Sequence, residues 1–584
     1  MQLVSPGYNE SRLYNRLLTP YTDRQIEFKG LNRKHVVEEG EMSDMWNLTS
    51  DKYPLLTPRR LRGSYTLPAD VVRPLKIISR YNRLAMIALD NSDNISFYFD
   101  GVKKTAVTGL TSESMMVAIN TKICFFPQKT YIEVVKSGST ITVDNFGSLE
   151  ESFDNTSVGL AVSITISNED ARMALGVTNN FAYDDAVDIV GQLSYTDAGG
   201  TAHQGVACNV SAAIEEVSGT TLVLPRESWI ELTGEGATSI TFRGTVKRTM
   251  PKVDHIIEWN NRLWGACSED NTIYSCKLGD PKNWHYYQGT SLDSYYAQQG
   301  TDGDWTGCAE FSSHLIFFKE SSMCRIYGTA PSNFQVTNTP CYGVEEGSHR
   351  SVLTINDKVF YKSVIGIMAY DGGIPYCISE KLNKKFRNVV AGTEGTKYYA
   401  SIQNDLGYEL MVLDTNKAVW HKEDATRYRN TCTVNNRLYY IQYSDDLLTC
   451  ETDLMCSEWL ICGDADVTGS IAIANPENAA ESYDTLSWRA VFGPFDEYIE
   501  NRKIYSKLSL RFVAVDDAEV RIYISENEGP WELVKEYSEV KTGGELVPII
   551  PRRCDRFSIK IDGTGNCEIK SLTRRYRTGT ERKL

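Results

Sequence analysis

The chain has 584 residues, 41% of them hydrophobic and 23% charged, and a formal net charge of −15 at pH 7. This length predicts three or four domains, and the composition excludes a disordered chain. The sequence contains no run of roughly 20 apolar residues that could cross a bilayer. The acidity excludes a general DNA-binding protein, because Lys and Arg that neutralise phosphates supply most of such affinity.

The first 70 residues show little strand-like alternation. Their start, MQLVSPGYNESRLYNRLL, lacks the basic-then-apolar order of a signal peptide, so we expect the chain to fold in a cytoplasm. A stretch this long without a regular pattern is usually functional or binds a partner. We therefore predict an N-terminal arm over residues 1–70 that packs along the main body or against a neighbouring subunit.

A pair of apolar segments joined by a short polar turn recurs along the chain. Such turns centre on Asn82, Asn120, Asn260, Ser312, Asn356, Asn404 and Asn435. Asn and Ser tolerate turn dihedrals, and the aromatic and β-branched residues beside them favour strands. Apart from one gap of 140 residues, neighbouring turns lie 31 to 52 residues apart, close to the roughly 40–50 that the four strands of a propeller blade need. We predict a β-propeller of about six to eight blades over residues 71–140 and 250–470. A β-sandwich made of unrelated hairpins is the alternative.

Two further β regions complete an all-β fold. The 140-residue gap exceeds one blade by roughly 100 residues, and its sequence alternates between apolar and polar residues with Gly-Thr and Asn-Asn turns. We predict a small inserted β domain over residues 141–249. The alternation with Asp-Asp and Glu-Gly turns after Cys462 predicts a C-terminal β-sandwich-like domain over residues 471–584.

No motif predicts catalysis, a cofactor or a metal. There is no GxSxG, HExxH or P-loop pattern, the 14 cysteines include no CxxC, and no two of the seven histidines have ligand spacing. We predict a non-enzyme with free structural cysteines. His314 lies at a repeat turn and is expected to be solvated. The segment SENEGPW, Ser525–Trp531, resembles the structural Asp-box turn of sialidases, so a glycan-acting enzyme is kept as an alternative.

Two basic clusters interrupt the acidic background. We predict that they dock onto an acidic partner subunit, where charge complementarity sets register and association rate; solvated tails are the alternative. The clusters comprise Arg59, Arg60, Arg62, Arg574, Arg575, Arg577, Arg582 and Lys583.

Three segments carry a resemblance to a known family: GLNRKHVVEEGEMSDMWNLTSDKYPLLTPR (Gly30–Arg59), WNNRLWGACSEDNTIYSCKLGDPKNW (Trp259–Trp284) with its Gly-Asp-Pro-x-x-Trp ending, and GIMAYDGGIPYCISEKL (Gly366–Leu382). They resemble segments of phage tail nozzle or tail hub (stabilisation) proteins. The resemblance covers the arm and most of the predicted propeller. It is weaker in residues 141–249 and in the last domain.

The resemblance implies a structural virion protein with a β-propeller body. In that family six copies form a ring below the portal and adaptor, around a channel that retains and then releases genomic double-stranded DNA, and tail fibres or spikes attach around the ring. It implies no catalytic residues, no cofactor and no sequence-specific DNA binding. The implied location is the virion tail, after assembly in the bacterial host cytoplasm. A receptor-binding, glycan-binding propeller of a phage tail is a further alternative beside the glycan-acting enzyme.

Overall fold

The computed structural model describes residues 20–156, 162–443, 471–474, 486–497, 502–514, 518–538, 541–547, 549 and 553–578. The chain divides into two compact units. The first consists of Met1–Asn82 and Arg350–Leu584, and the second of Arg83–His349. Within the described residues no helix is long and apolar enough to span a membrane.

The first unit begins with the strands β1 (Tyr21–Gln25), β2 (Gly30–Leu31), β3 (Glu41–Trp46), β4 (Leu48–Thr49), β5 (Thr57–Pro58), β6 (Gly63–Tyr65) and β7 (Val71–Arg80).

The second unit has 23 described strands and one described α-helix. The first strands are β8 (Arg83–Asp90), β9 (Ile95–Phe99), β10 (Val102–Lys103), β11 (Met115–Ile119), β12 (Lys122–Phe126), β13 (Thr130–Ser137) and β14 (Thr140–Ser148). Next come β15 (Glu151–Asp154), β16 (Val162–Ile166), β17 (Asp170–Ala174), β18 (Ala186–Thr196), β19 (Ala202–Ala213), β20 (Glu216–Ser218), β21 (Thr221–Pro225), the helix α1 (Glu227–Thr233) and β22 (Thr238–Arg248). The last are β23 (His255–Trp259), β24 (Arg262–Cys267), β25 (Thr272–Ser275), β26 (Tyr295–Gln298), β27 (Gly307–Phe311), β28 (His314–Lys319), β29 (Ser322–Tyr327) and β30 (Gln335–Pro340).

The first unit resumes with β31 (Leu353–Ile355), β32 (Lys358–Ser363), β33 (Gly366–Tyr370), β34 (Tyr376–Cys377), β35 (Arg387–Glu394), β36 (Lys397–Asn404), β37 (Gly407–Asp414), β38 (Val419–Lys422), β39 (Tyr428–Val434), β40 (Arg437–Gln442) and β41 (Ile471–Ile473). It ends with β42 (Ser487–Phe495), β43 (Lys503–Ala514), β44 (Glu519–Glu526), β45 (Glu532–Tyr537), β46 (Lys541–Val547), β47 (Arg553–Cys554), β48 (Phe557–Thr564) and β49 (Cys567–Thr578).

Seven four-stranded antiparallel sheets follow one another along the described chain. They are β7–β10, β11–β14, β23–β26, β27–β30, β31–β34, β35–β38, and β39–β41 completed by β6. Their first strands lie side by side: β11, β23 and β27 in the second unit, and β31, β35, β39 and β7 in the first. This is the blade arrangement of a β-propeller, and the sequence-based prediction of that fold is confirmed.

Tight turns explain why these segments form blades. In β24 every residue is buried, and the turn before it holds Asn260 at φ +50° and Asn261 at φ +58°. Two positive φ values are the mark of the turn that matches strand twist, and Asn adopts them at little cost. In the sixth blade, the first turn is at Gly395 (φ +58°), whereas Asn404 lies at the turn between the second and third strands.

The inserted β domain is an eight-stranded sheet of β15–β22 packed on α1. It has its own core, in which Trp229, Phe242 and Leu193 are fully buried. Glu151 pairs with Arg248 at its base, so the two ends of the domain lie side by side. The insertion therefore leaves and rejoins the second unit at one point.

The C-terminal domain is a sandwich of two sheets. One has the order β1-β49-β43-β46, with β47 beside β43, and the other has the order β2-β3-β42-β48-β44-β45. Their inner faces share one core that includes Leu510, Phe512 and Ile559. The predicted C-terminal sandwich is thereby confirmed as a fold.

Several predicted boundaries cut through sheets. The arm, residues 1–70, supplies β1–β3 to the sandwich and β6 to the last blade. The predicted inserted domain, 141–249, begins inside β14, which belongs to the second blade. The predicted last domain, 471–584, includes β41 of the seventh blade. The strands of the arm pair with residues hundreds of positions away, such as Tyr21 with Tyr576 and Gly63 with Ile473, which no local pattern reveals.

Candidate docking surface

The eight basic residues predicted for docking do not form one surface. Arg59 and Arg62 are buried beside β38, Arg574 is buried in the sandwich, and Arg60, Arg575 and Arg577 are exposed. Arg582 and Lys583 lie outside the described residues.

The buried side chains of Arg59 and Arg62 join the N-terminal arm to the propeller. The Arg62 guanidinium pairs with the carboxylate of Asp424 and, at 3.0 Å, with that of Glu423. Arg59 donates to Asp424 at 3.3 Å and to the side chain of Asn47 at 2.8 Å. Burial alone would raise the pKa of Asp424, but the two guanidinium groups outweigh it and lower this pKa. Because both arginines are consumed inside their own chain, the docking role predicted for them is wrong.

Arg574 is likewise internal. Its guanidinium lies 3.6 Å from the centre of the Phe495 ring and donates from Nε to Glu497 at 3.1 Å. Burial raises the pKa of Glu497 in spite of this partner. The docking role predicted for Arg574 is also wrong.

Arg575 and Arg577 belong to a larger basic surface on the outer side of the first sandwich sheet. Tyr505 and Leu508 of the central strand β43 face the core, while Lys507 pairs with Arg575 and Ile504 lies between Arg577 and Arg553. We call this surface the C-terminal basic face, formed by Arg24, Lys507, Arg511, Arg553, Arg575 and Arg577. All six side chains are exposed, and none has an ion pair with a described carboxylate. The carboxylate of Glu568, at the end of this sheet, is paired with Lys52.

A cleft of about 380 Å³ opens on the C-terminal basic face. It is lined by Ser506, Lys507, Leu546, Val547, Ile549, Arg575 and Arg577. Leu546 is 59% exposed, so the cleft offers apolar area among unpaired cations. Such a mixture suits an acidic protein surface with protruding apolar side chains better than a uniformly charged polyanion.

The Gly-Asp-Pro-x-x-Trp segment, Gly279–Trp284, fastens the inserted domain to the third blade. The Asn283 side chain is fully buried, accepts from the backbone of Ala186 at 2.8 Å and donates to the Asp280 carboxylate at 2.6 Å. Trp284 is 1% exposed and donates to the carbonyl of Pro281 at 2.8 Å. This motif therefore has a structural role, because it holds the inserted domain against the third blade.

Ion pairs reinforce this contact between the inserted domain and the third blade. We call the contact the domain joint. The Asp185 carboxylate is fully buried, pairs with Arg248, and accepts from Lys282 at 3.2 Å. Lys277 pairs with Asp184 and lies 3.6 Å from the centre of the Tyr286 ring. Removing one member would leave a buried charge without its partner.

The described residues also bear on metal binding and on thiol reactivity. They contain no cluster of three or more His, Cys, Asp or Glu that could hold a metal ion. The 11 described cysteines are free, and burial raises the pKa of Cys276 and of Cys308 to about 12, which keeps both thiols protonated.

His314 is not a solvated turn residue, so that prediction is wrong. It is 2% exposed, and its ring centre lies 4.5 Å from that of Tyr327. Burial lowers its pKa to about 4. In SENEGPW, Asn527 at φ +50° accepts from the backbone of Asp555 at 2.8 Å, as a hairpin turn would.

Sequence reasoning missed most of the C-terminal basic face and the acidic half of the joint. The alternation of a strand was a usable signal for part of it, since residues 574 and 576 must point opposite to residues 575 and 577. Arg24 and Lys507 join the face only through sheet pairing. Asp184 and Asp185 meet Lys277 and Lys282 across almost 100 residues, which the sequence does not display.

Comparison with known proteins gives distant likenesses only. No protein-family model matches the chain, and no curated protein matches it. Among solved structures, exo-β-1,3-galactanase from Phanerochaete chrysosporium is 10% identical with a TM-score of 0.20, covering 55% of this chain and 95% of that one. Hsv2 of Kluyveromyces lactis is 7% identical with a TM-score of 0.24, covering 60% and 97%. PorZ, a surface component of the type-IX secretion system of Porphyromonas gingivalis, is 10% identical with a TM-score of 0.25, covering 89% and 80%.

Proposed function

We propose that this chain is a structural protein of a phage virion: a tail nozzle or hub subunit that forms a ring of six copies around the DNA exit channel. It would lie below the portal and adaptor, retain and release the genome, and carry tail fibres or spikes. Its role would be passive, with no catalytic step and no cofactor. The proposal starts from the three sequence segments that resemble this family.

The observation that carries the proposal is what those segments do in the fold. Gly279–Trp284 brackets the inserted domain, and the Gly30–Arg59 segment supplies strands to the sandwich and Arg59 to a buried ion pair. The residues of both segments hold parts of the chain together. This favours a scaffold, in which rigid placement of domains is the function.

Charge also favours this role. In a ring of six, each cation facing the lumen would occur six times, and roughly six to ten phosphate contacts already give a tight, salt-sensitive complex with DNA. A chain of net charge −15 avoids stalling a moving genome. We therefore expect the full chain to bind a double-stranded DNA fragment no more tightly than serum albumin does at 150 mM salt.

Gold-labelled antibody against this chain, imaged by negative stain on whole virions, tests the proposal. Label at the base of the tail, next to the portal vertex, is the expected result. Label at fibre tips would favour a receptor-binding role. A virion without the chain would overturn the structural assignment.

A glycan-binding propeller is the second candidate, and one observation favours it. Tyr287 and Tyr296 are 46% and 60% exposed, and their ring centres lie 6.1 Å apart. Exposed aromatic side chains grouped on a surface often mark a binding site. Saturation-transfer NMR with host-surface oligosaccharides tests it. Signal that disappears in Tyr287→Ala/Tyr296→Ala but persists in Tyr342→Ala, another exposed tyrosine, would move the chain to this class.

A further inference from the structure

The inserted domain is strongly acidic. Residues 151–248 contain 13 Asp and Glu against five Lys and Arg, a net charge of −8 out of the −15 of the whole chain. Glu215, Glu216, Glu227 and Glu231 are exposed and have no ion pair with a described cation. Glu227 and Glu231 lie four positions apart on α1, a spacing at which like charges destabilise a helix.

The C-terminal basic face has the opposite character. Its six exposed cations lack ion pairs with described carboxylates, and Leu546 adds apolar area at its cleft. Like charges gathered on one sheet face repel one another, because neighbouring side chains on paired strands lie about 5 Å apart. A partner of opposite charge would relieve that repulsion. The sequence of this same chain supplies one.

We infer that the C-terminal basic face of one copy docks against the acidic inserted domain of a second copy. This rests on the proposed function in one respect, that the chain assembles with itself. Two basic faces repel, so the contact joins two different surfaces. Such head-to-tail contacts generate rings when the rotation closes and filaments when it does not.

Free phosphate chains are a poorer occupant of this face. The apolar wall at Leu546 and Ile549 finds no counterpart on a nucleic-acid backbone. A net charge of −15 also repels a polyanion over the Debye length of about 10 Å at 0.1 M salt. The inserted domain offers carboxylates together with exposed apolar side chains such as Val190, which is 49% exposed.

Charge reversal on either side tests the contact in the purified full-length chain. We expect mass photometry to show oligomers at 50 mM salt that dissociate as salt rises. Arg575→Glu/Arg577→Glu should weaken self-association about tenfold or more, as should reversal of the four insert residues Glu215, Glu216, Glu227 and Glu231 to Lys. The matched control is Lys385→Glu/Arg387→Glu, two exposed cations of the same spacing elsewhere on the first unit. It should associate like the wild type.

Mixing gives the decisive result. The face variant and the insert variant should each associate about tenfold or more weakly than the wild type, yet restore oligomers when combined, because the new acidic face meets the new basic insert. Circular dichroism and thermal midpoints equal to those of the wild type would show that both variants fold. A wild type that is monomeric at every salt concentration, a control as weak as the face variant, or a mixture that stays monomeric would each overturn the inference. Virion labelling reports on tail location independently of this interface, so the two ideas can fail separately.

Discussion

Arg60 and Arg62 stand two positions apart, and their charges act in different ways. The Arg60 side chain is exposed, whereas that of Arg62 is 3% exposed and faces two carboxylates. Arg62→Ala would leave the fully buried Asp424 carboxylate with Arg59 as its one remaining cation and should lower the free energy of unfolding by about 3 kcal/mol. Guanidinium denaturation followed by circular dichroism measures this change. Arg60→Ala is the control and should shift it by less than about 0.5 kcal/mol; equal effects would contradict the burial of Arg62.

Glu409 gives the fold a specific sensitivity to acid. Burial acts to raise its pKa, but the hydrogen bond from Arg33 and the charge of Lys422 lower it to about 2. The unfolded chain has the ordinary value near 4.5, so the stabilisation is complete above pH 4.5 and is lost as pH falls towards 2. At about 1.4 kcal/mol for each pKa unit, its full size is about 3 kcal/mol.

Glu409→Gln should therefore have a lower thermal midpoint than the wild type at pH 7. The difference between the two midpoints should shrink as the pH falls from 4.5 to 2. Scanning calorimetry at four pH values across that window measures it. Glu380→Gln serves as the control, because the Glu380 side chain is 68% exposed and pairs with Lys34 at the surface. A constant gap between wild type and Glu409→Gln across the window would contradict the assignment.

At the scale of elements, the blade turns depend on Asn for their backbone geometry. Asn261→Val, at φ +58°, should destabilise the protein by about 1–2 kcal/mol, because a β-branched residue is strained in the left-handed region. Asn261→Gly keeps the geometry and should be close to neutral. Fluorescence of Trp259 and Trp264, which flank the turn, reports the transition. Equal stability of the Val and Gly variants would contradict the turn type.

The blades could be predicted from sequence because their turns are local. Asn260 and Asn356 announce a two-residue hairpin through residue type alone. The sixth blade was misassigned at Asn404 because Gly395, its true first turn, is followed by a less apolar strand start. With Gly395 in place, the last turns are separated by 39 and 40 residues, which replaces the spacings of 48 and 31.

The domain joint could not be predicted in the same way. Its motif was visible, but its partners Asp184 and Asp185 lie in the inserted domain. Asp185→Ala would leave Arg248 buried without a carboxylate and should free the inserted domain to move. Hydrogen exchange should rise across β18 and β22 and stay unchanged in β35–β38. If hydrogen exchange in β18 and β22 were the same in the variant as in the wild type, the domain joint would not be what holds the inserted domain in place.

At the scale of the whole molecule, the inserted domain is separable. Its own core and the pairing of Glu151 with Arg248 place both ends within about 5.5 Å of each other. Replacing residues 152–247 by Gly-Ser-Gly-Ser should leave a folded propeller and sandwich. A cooperative thermal transition and wild-type circular dichroism after correction for the removed strands would be the expected outcome. Collapse into aggregates would show that the propeller needs the insert.

The strand β6 completes the last blade by pairing Gly63–Tyr65 with Ile471–Ile473. The ribosome must therefore add about 400 further residues before that strand finds its neighbour, which at 5–20 residues per second takes roughly 20 to 80 s. The interval is longer still for β1, because its partner β49 is synthesised later than β41. A prematurely terminated polypeptide would expose unpaired edges at its beginning and be cleared by proteases. Only full-length chains would fold completely and remain available to join a larger particle. The strand topology therefore selects for complete copies.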